Sequence, residues 1–339
     1  MPASQESALN KKYTLFITPN WLGDCLMAMS AIEIWHKHNP EKNALIVTRS
    51  NLTELWQMHK INKEIIVCNK SILDIIKTAR KLKNYNIEKA FIFPNSPRSA
   101  ILPFLSSIPE RYGFAGYYRN FMLTNIIHKQ KNSPQHQIAE YLTLLNCKTD
   151  EIMPPALTVP AEAKRKVENL IENKDHPVIT LIPGAARGKS KQWHHKNFAE
   201  LGKKLLTHFN CLIAIPGTQK EYGLCEQLAG SIGNKAINLA GKTSLSELAA
   251  LLALSKIVVA NDSGGMHLAA ALGTPTVAIF GITDPAITGP IGKKVMILKS
   301  SPLASRDIAR NSEKAIYALK QITPQMAFDA IKAIINTKI

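Results

Sequence analysis

The stretch Ile257 to Gly281, IVVANDSGGMHLAAALGTPTVAIFG, leaves a chain little choice of fold. A run rich in β-branched residues (Ile257 to Ala260) stops at Asn261-Asp262-Ser263-Gly264-Gly265. An apolar helical segment, Met266 to Leu272, follows, and Gly273-Thr274-Pro275 hands over to a second apolar run, Thr276 to Phe280. Short apolar runs bounded by turn residues and alternating with helical segments predict buried parallel strands joined by crossover helices. The first turn also favours an anion. Asp, Ser and Gly cap helices and admit unusual backbone angles, and a helix start offers unpaired N–H groups and roughly half a positive charge. Taken alone, the simpler reading is that Asp262 or Ser263 caps a buried helix.

The same alternation opens the chain. Tyr13 to Thr18 is apolar, Pro19-Asn20-Trp21-Leu22-Gly23-Asp24 breaks it, and Cys25 to His38 is helical in pattern. Further strands are expected at Ala44 to Val47, Ile65 to Val67 and Ala90 to Phe93, with a helix over Ile72 to Lys83. Asp24 falls at the carboxyl end of the first strand, where open parallel sheets place their ligands, although an Asp there can simply cap the helix. Beyond Phe93 runs a long passage, read as loop-rich, that carries Arg98, Arg111 and Arg119; each arginine by itself defaults to a solvated surface charge. His136-Gln137 then opens a helix to Leu145, with His136 orienting a loop.

Pro154, Pro155 and Pro160 mark a stiff linker, and 339 residues exceed the size at which one core usually stops growing. Two domains are therefore expected, 1–155 and 156–339. The second repeats the pattern, with strands at Val178 to Ile182 and Leu212 to Ile215. Its helices fall at Ala161 to Asn173, Asn197 to His208, up to Ile232, and Leu245 to Leu254. After Gly292 come one strand (Val295 to Leu298), a polar segment and a helix from Pro324 to Asn336.

Four loops of this half converge on one sheet edge: PGAARGKSKQW, PGTQKE, NLAGKTS and NDSGGMH. The first ends like a P-loop, but GxxxxGK[ST] needs its first glycine where Pro183 stands, and no GxGxxG follows either domain's first strand. Lysines, helix starts, Glu221, Asp262 and His267 instead outline a nucleotide-sugar diphosphate site. Glu221 can equally be a first-turn glutamate favoured by the helix dipole, and His267 a helix histidine packed on the sheet.

Charge narrows the partners. Lys and Arg number 42 against 25 Asp and Glu, a formal +17 spread over both halves, so an anionic partner is expected. Nucleic acid is disfavoured, because no basic block with interleaved aromatics and no zinc-finger spacing is present. Five scattered cysteines without a CxxC pair fit a reduced, cytoplasmic compartment, and any membrane contact is expected to be peripheral.

The blocks NDSGGMHLAAALGTPTVAIFGITDP, PGAARGKSKQW and PNWLGDCLMAMSAI resemble signatures of glycosyltransferase family nine, the bacterial lipopolysaccharide heptosyltransferases. PNSPRSAILPFLSSIPERYGFAGYYR with His136-Gln137 is similar to the branch of that family that acts on an already heptosylated inner core. The resemblance implies an α/β chain of two facing Rossmann-like domains of the GT-B type, with the acceptor on the first and the nucleotide-sugar on the second. It implies ADP-L-glycero-D-manno-heptose as donor and a lipid A-linked inner core as acceptor, at the cytoplasmic face of the inner membrane, with no cofactor or metal. On the matching positions it makes Asp24 the base and Lys191 the diphosphate partner. Donor contacts fall to Ala185, Lys189, Glu221, Thr243, Asp262, Ser263, Gly264, Gly265 and His267, and acceptor contacts to Asn20, Arg98, Arg111 and Arg119. Ala185 and Ala186 stand where some relatives carry hydroxyls, so phosphate contacts there pass to backbone N–H groups or Lys189, and Lys191 is helped by Lys189 or Arg187. Alternatives left open are another sugar or acceptor, or a non-catalytic nucleotide-sugar-binding protein.

Overall fold

A computed structural model describes residues 11–129, 135–149, 151–172, 176–186, 188–299 and 313–336. The chain divides into two compact units, Met1–Pro155 and Ala156–Ile339. Each is built on a six-stranded sheet in which all pairings are parallel.

In the first unit β1 (Lys12–Ile17), β2 (Asn43–Thr48), β3 (Lys63–Val67), β4 (Asn86–Ile92), β5 (Glu110–Phe114) and β6 (Asn125–Ile127) lie in the order β3-β2-β1-β4-β5-β6. The central strands are buried on both faces, so they read as continuous apolar runs. Phe16 of β1 stacks on Phe91 of β4 at 5.8 Å and meets Trp35 of the helix Leu22–His38 edge-on at 4.9 Å. That helix carries Asp24 in its first turn and His36, Lys37 and His38 in its last, charges matched to its dipole.

The passage read as loop-rich is instead structured. It holds the helix Pro97–Leu105, β5, a 3₁₀ turn Asn120–Met122 and β6. Its prolines mislead because Pro97 sits in the first turn, where the missing N–H costs nothing, and Pro103 lies inside a short helix. Arg111 and Arg119 are correspondingly not solvated charges. Arg111 donates from Nε to Met122 O at 2.7 Å, donates from Nη1 to Ile108 O, and lies over the Phe104 ring. Arg119 is wholly buried and donates from Nη1 to Pro94 O at 2.7 Å.

In the second unit β7 (Val178–Ile182), β8 (Leu212–Ile215), β9 (Ala236–Asn238), β10 (Ile257–Asn261), β11 (Thr276–Phe280) and β12 (Val295–Lys299) lie in the order β12-β11-β10-β7-β8-β9. Every residue of β10 and β11 is buried. The three-residue β9 and the helix Glu313–Lys320 were not anticipated. β9 is too short to show a period, and the helix follows directly on residues 300–312, which lie outside the described residues.

Packing between the helices Leu22–His38 and Thr53–Met58 and the residues after them leaves one titratable group deeply buried. The His59 side chain is fully buried, with Nε2 3.3 Å from Glu33 Oε2. Burial pushes its pKa below the ordinary histidine value, and the Glu33 carboxylate only partly offsets this. An unfolded histidine titrates near about 6.5, so the neutral side chain contributes stability that is fully present above that pH. The contribution is lost as pH falls through the depressed folded value. The thermal midpoint of the wild type is expected to drop on acidification below about pH 6.5, and His59→Gln to flatten that slope. Equal slopes in the two proteins would refute the assignment.

Candidate active site

In each sheet the strand order reverses beside the first strand, between β1 and β4 in one unit and between β7 and β10 in the other. Loops diverge there at the carboxyl edge, and open parallel sheets hold ligands in the crevice so formed.

In the second unit the loops after β7 and β10 are tied together across that crevice. Lys191, in the 3₁₀ turn Lys189–Lys191 after β7, pairs through Nζ with Asp262 Oδ2 after β10. The side chains are only 17% and 7% exposed, so the pair is largely desolvated and each partner needs the other. An ammonium has three N–H donors, so among the described residues Lys191 keeps two more beyond Asp262. Asp262 is thus an ion-pair partner and not the cap of the helix Gly264–Ala271.

The N-cap of that helix is Ser263, which is extended and makes no side-chain capping bond. Ser263 Oγ is buried and has no hydrogen-bond partner among the described residues. At this helix start, among the described residues, the hydroxyl and the first-turn N–H groups keep donors unspent. Gly265 permits this placement, because a Cβ there would lie 2.7 Å from Ile182 Cδ1 at the end of β7. His267 is buried in the same helix at 8% exposure.

Asn261, which the sequence reading passed over, braces the first loop. At the end of β10 its Nδ2 donates to Pro183 O at 2.7 Å and its Oδ1 accepts from Trp193 N at 3.0 Å. Trp193 in turn donates from Nε1 to Ile322 O at 2.8 Å. The signal was available: an amide side chain closing an all-buried apolar strand must find partners, because an unpaired buried polar group is costly. Asn261→Ala is expected to cost about 1–3 kcal/mol and to loosen the Lys191 loop, lowering the thermal midpoint. An unchanged thermal midpoint, read by calorimetry, would count against the bracing role.

In the second of the four loops, PGTQKE, Glu221 takes the helix-start role. Its Oε2 accepts from Thr218 N at 2.7 Å and Thr218 Oγ1 at 2.8 Å in a capping box. Its Oε1 lies against Gly184 so closely that a Cβ there would collide with it. One oxygen caps, and the carboxylate still reaches the first loop. Ala185 is buried beside Gly184 and its carbonyl accepts from Gln192 Nε2 at 3.3 Å. Thr243 is half-buried between Gly241, whose φ is +74°, and the capping box of Ser244 and Glu247. Arg187 lies outside the described residues.

In the first unit Asp24 is half-buried in the first turn of the helix Leu22–His38, whose N-cap is Trp21. It is therefore inside the helix, not its cap. Half-buried Asn20 lies on the same turn after β1. The Asp24 charge adds to burial in raising the pKa of Tyr141 and also raises that of Cys25, so both groups are near it. Tyr141 packs edge-on to Phe93 at 5.0 Å, and His136 caps its helix by accepting from Ile138 N at 3.3 Å. Arg98 is exposed in the first turn of the helix after β4, where the dipole disfavours a cation. Burial and the Arg98 charge hold the Arg49 pKa below its usual value. Arg49, directly after β2, is thus a second cation of this edge that sequence reading missed.

The profile of Glycosyltransferase family 9 (heptosyltransferase) matches residues 75–317. Lipooligosaccharide heptosyltransferase 2 of Haemophilus influenzae is 28% identical over 95% of this chain and 99% of its own length. Lipopolysaccharide heptosyltransferase 2 of Escherichia coli is 27% identical over 95% and 98%. The solved structure of E. coli ADP-heptose LPS heptosyltransferase II superposes with a TM-score of 0.84 at 26% identity, covering 95% of this chain and 98% of that one. A fold of two parallel α/β units of the GT-B heptosyltransferase type and a family profile spanning most of the chain lead to one conclusion: the chain belongs to glycosyltransferase family 9, the heptosyltransferases, and is a glycosyltransferase.

Proposed function

We propose that the protein transfers heptose from ADP-L-glycero-D-manno-heptose to the heptosylated, lipid A-linked inner core of lipopolysaccharide, with inversion at the anomeric carbon. The observation that carries this reading is the Lys191–Asp262 pair across the β7/β10 crevice, next to the unspent donors of Ser263 and its helix start. Such a crevice suits a diphosphate leaving group.

Asp24 takes the proton of an acceptor hydroxyl as that oxygen attacks the anomeric carbon from the face opposite ADP. The bond from anomeric carbon to phosphate oxygen breaks, and its electron pair leaves on the diphosphate. Lys191 and the N–H groups at Ser263 to Gly265 meet that developing charge, with Lys189 close by in the chain. Glu221 and Thr243 hold the nucleoside, and Asp262 fixes Lys191. Arg98, with Arg49 and Asn20, reads acceptor phosphates or carboxylates, for which guanidinium forks are suited. Arg111 and Arg119 support that edge, Arg119 keeping Nε and Nη2 donors without partners among the described residues. Peripheral contact with the anionic cytoplasmic leaflet fits the formal +17 charge.

The test is incubation of the purified protein with ADP-heptose and candidate core acceptors, followed by mass measurement of the product. A gain of one heptose on the heptosylated core is the expected result, and it should persist in EDTA. Transfer of a different sugar, or ADP binding without transfer, would overturn the reading.

A further inference from the structure

Six of the large exposed hydrophobic side chains fall on two neighbouring helices and one turn of the first unit, a concentration that the second unit does not match among the described residues. The helix Ile72–Leu82 exposes Ile72 at 73% and Leu73 at 68%. The helix Pro97–Leu105, which packs against it, exposes Phe104 and Leu105 at its end. Phe121, 73% exposed in the turn Asn120–Met122, meets Phe104 edge-on at 6.2 Å. None of these groups belongs to the machinery described above.

The charge around them is predominantly basic. On the Ile72–Leu82 helix and its flanks, Lys70, Lys77, Arg80, Lys81 and Lys83 are exposed, against a single acid, Asp74. The arrangement along the helix is ordered. Ile72, Ile76 and Arg80 form one exposed row at i, i+4 spacing, and Leu73, Lys77 and Lys81 form another, so each row begins apolar and ends basic. Apolar tips that reach the acyl boundary, together with cations at headgroup level, are what an interfacial helix presents to an anionic bilayer. No described helix is long and apolar enough to cross a membrane, so this contact would lie in the surface plane.

We propose that the face formed by Ile72–Leu82, Pro97–Leu105 and Asn120–Met122 docks the enzyme on the anionic lipid surface in which its acceptor is anchored. This rests on the reading of the acceptor as lipid-linked. The occupant is a bilayer and not a second copy, because the charged groups along the Ile72–Leu82 helix and its flanks are basic but for Asp74 and would repel their own image.

The experiment is cosedimentation of the full chain with vesicles of phosphatidylglycerol in phosphatidylethanolamine, and with phosphatidylcholine vesicles. Light scattering and transfer to a lipid-free core oligosaccharide are measured alongside. The wild type is expected to bind the anionic vesicles, more weakly as salt rises. Ile72→Ser with Leu73→Ser and Phe121→Ser should lower partitioning about tenfold or more. Lys77→Glu with Arg80→Glu and Lys81→Glu should abolish the salt dependence, and Leu254→Ser in the second unit should change nothing. All variants should keep wild-type transfer to the lipid-free acceptor. Undiminished vesicle binding by the folded triple serine variant would overturn the proposal, as would a wild-type dimer that this variant splits without loss of vesicle binding. Absence of heptose transfer by the wild type would instead sink the catalytic reading and leave the partitioning result standing by itself.

Discussion

Asp24→Asn is expected to lower kcat by about 10²–10⁴-fold while leaving ADP affinity unchanged. The amide keeps the volume and the hydrogen-bonding shape of the carboxylate but cannot take a proton. Local structure supports a base at this position. In the first turn of the Leu22–His38 helix the dipole favours the ionised form, which is the form a base needs. Tyr141 and Cys25, whose pKa values the Asp24 charge helps to raise, stay protonated at neutral pH and do not compete for the role. ADP binding is the control because the proposed nucleotide contacts all belong to the second unit. Asp24→Glu should recover part of the activity, since a longer carboxylate remains a base in imperfect position. Turnover of Asp24→Asn within a few-fold of wild type would end the assignment of the base.

How much of this was legible in the sequence depended on which physical rule governed each position. β7, β8 and β11 and the helices Leu245–Leu254 and Pro324–Asn336 were bounded to the residue, because buried parallel strands and capped helices announce both ends in composition. The region around Arg111 and Arg119 was not legible. There prolines inside a helix imitate a loop, and the arginines spend their donors on carbonyls brought close only by tertiary packing. Loop motifs pointed to the β7/β10 edge, but Asp262 read as a cap because its partner stands 71 residues away. Asn261 was hidden by its more conspicuous neighbours, and Arg49 by having no motif around it.

Lys191→Met is expected to lower kcat by about 10²–10³-fold and, unlike Asp24→Asn, to weaken ADP binding as well. Two effects act together. The leaving diphosphate loses a donor when its charge develops, and Asp262, only 7% exposed, loses its counter-charge. Breaking a buried pair by removing one partner costs about 3–5 kcal/mol, mostly for the orphaned ion. An orphaned carboxylate at the crevice would also repel ADP. The second effect can be isolated with Asp262→Asn in the Lys191→Met background. Removing the stranded charge should restore thermal stability and part of the ADP affinity, whereas kcat should stay low because the lysine is still absent. Additive losses in the double variant would show that Asp262 does more than hold Lys191, for instance by contacting the sugar directly. Near-wild-type turnover of Lys191→Met would remove the residue from the leaving-group site, and with it the observation on which the proposed donor crevice chiefly rests.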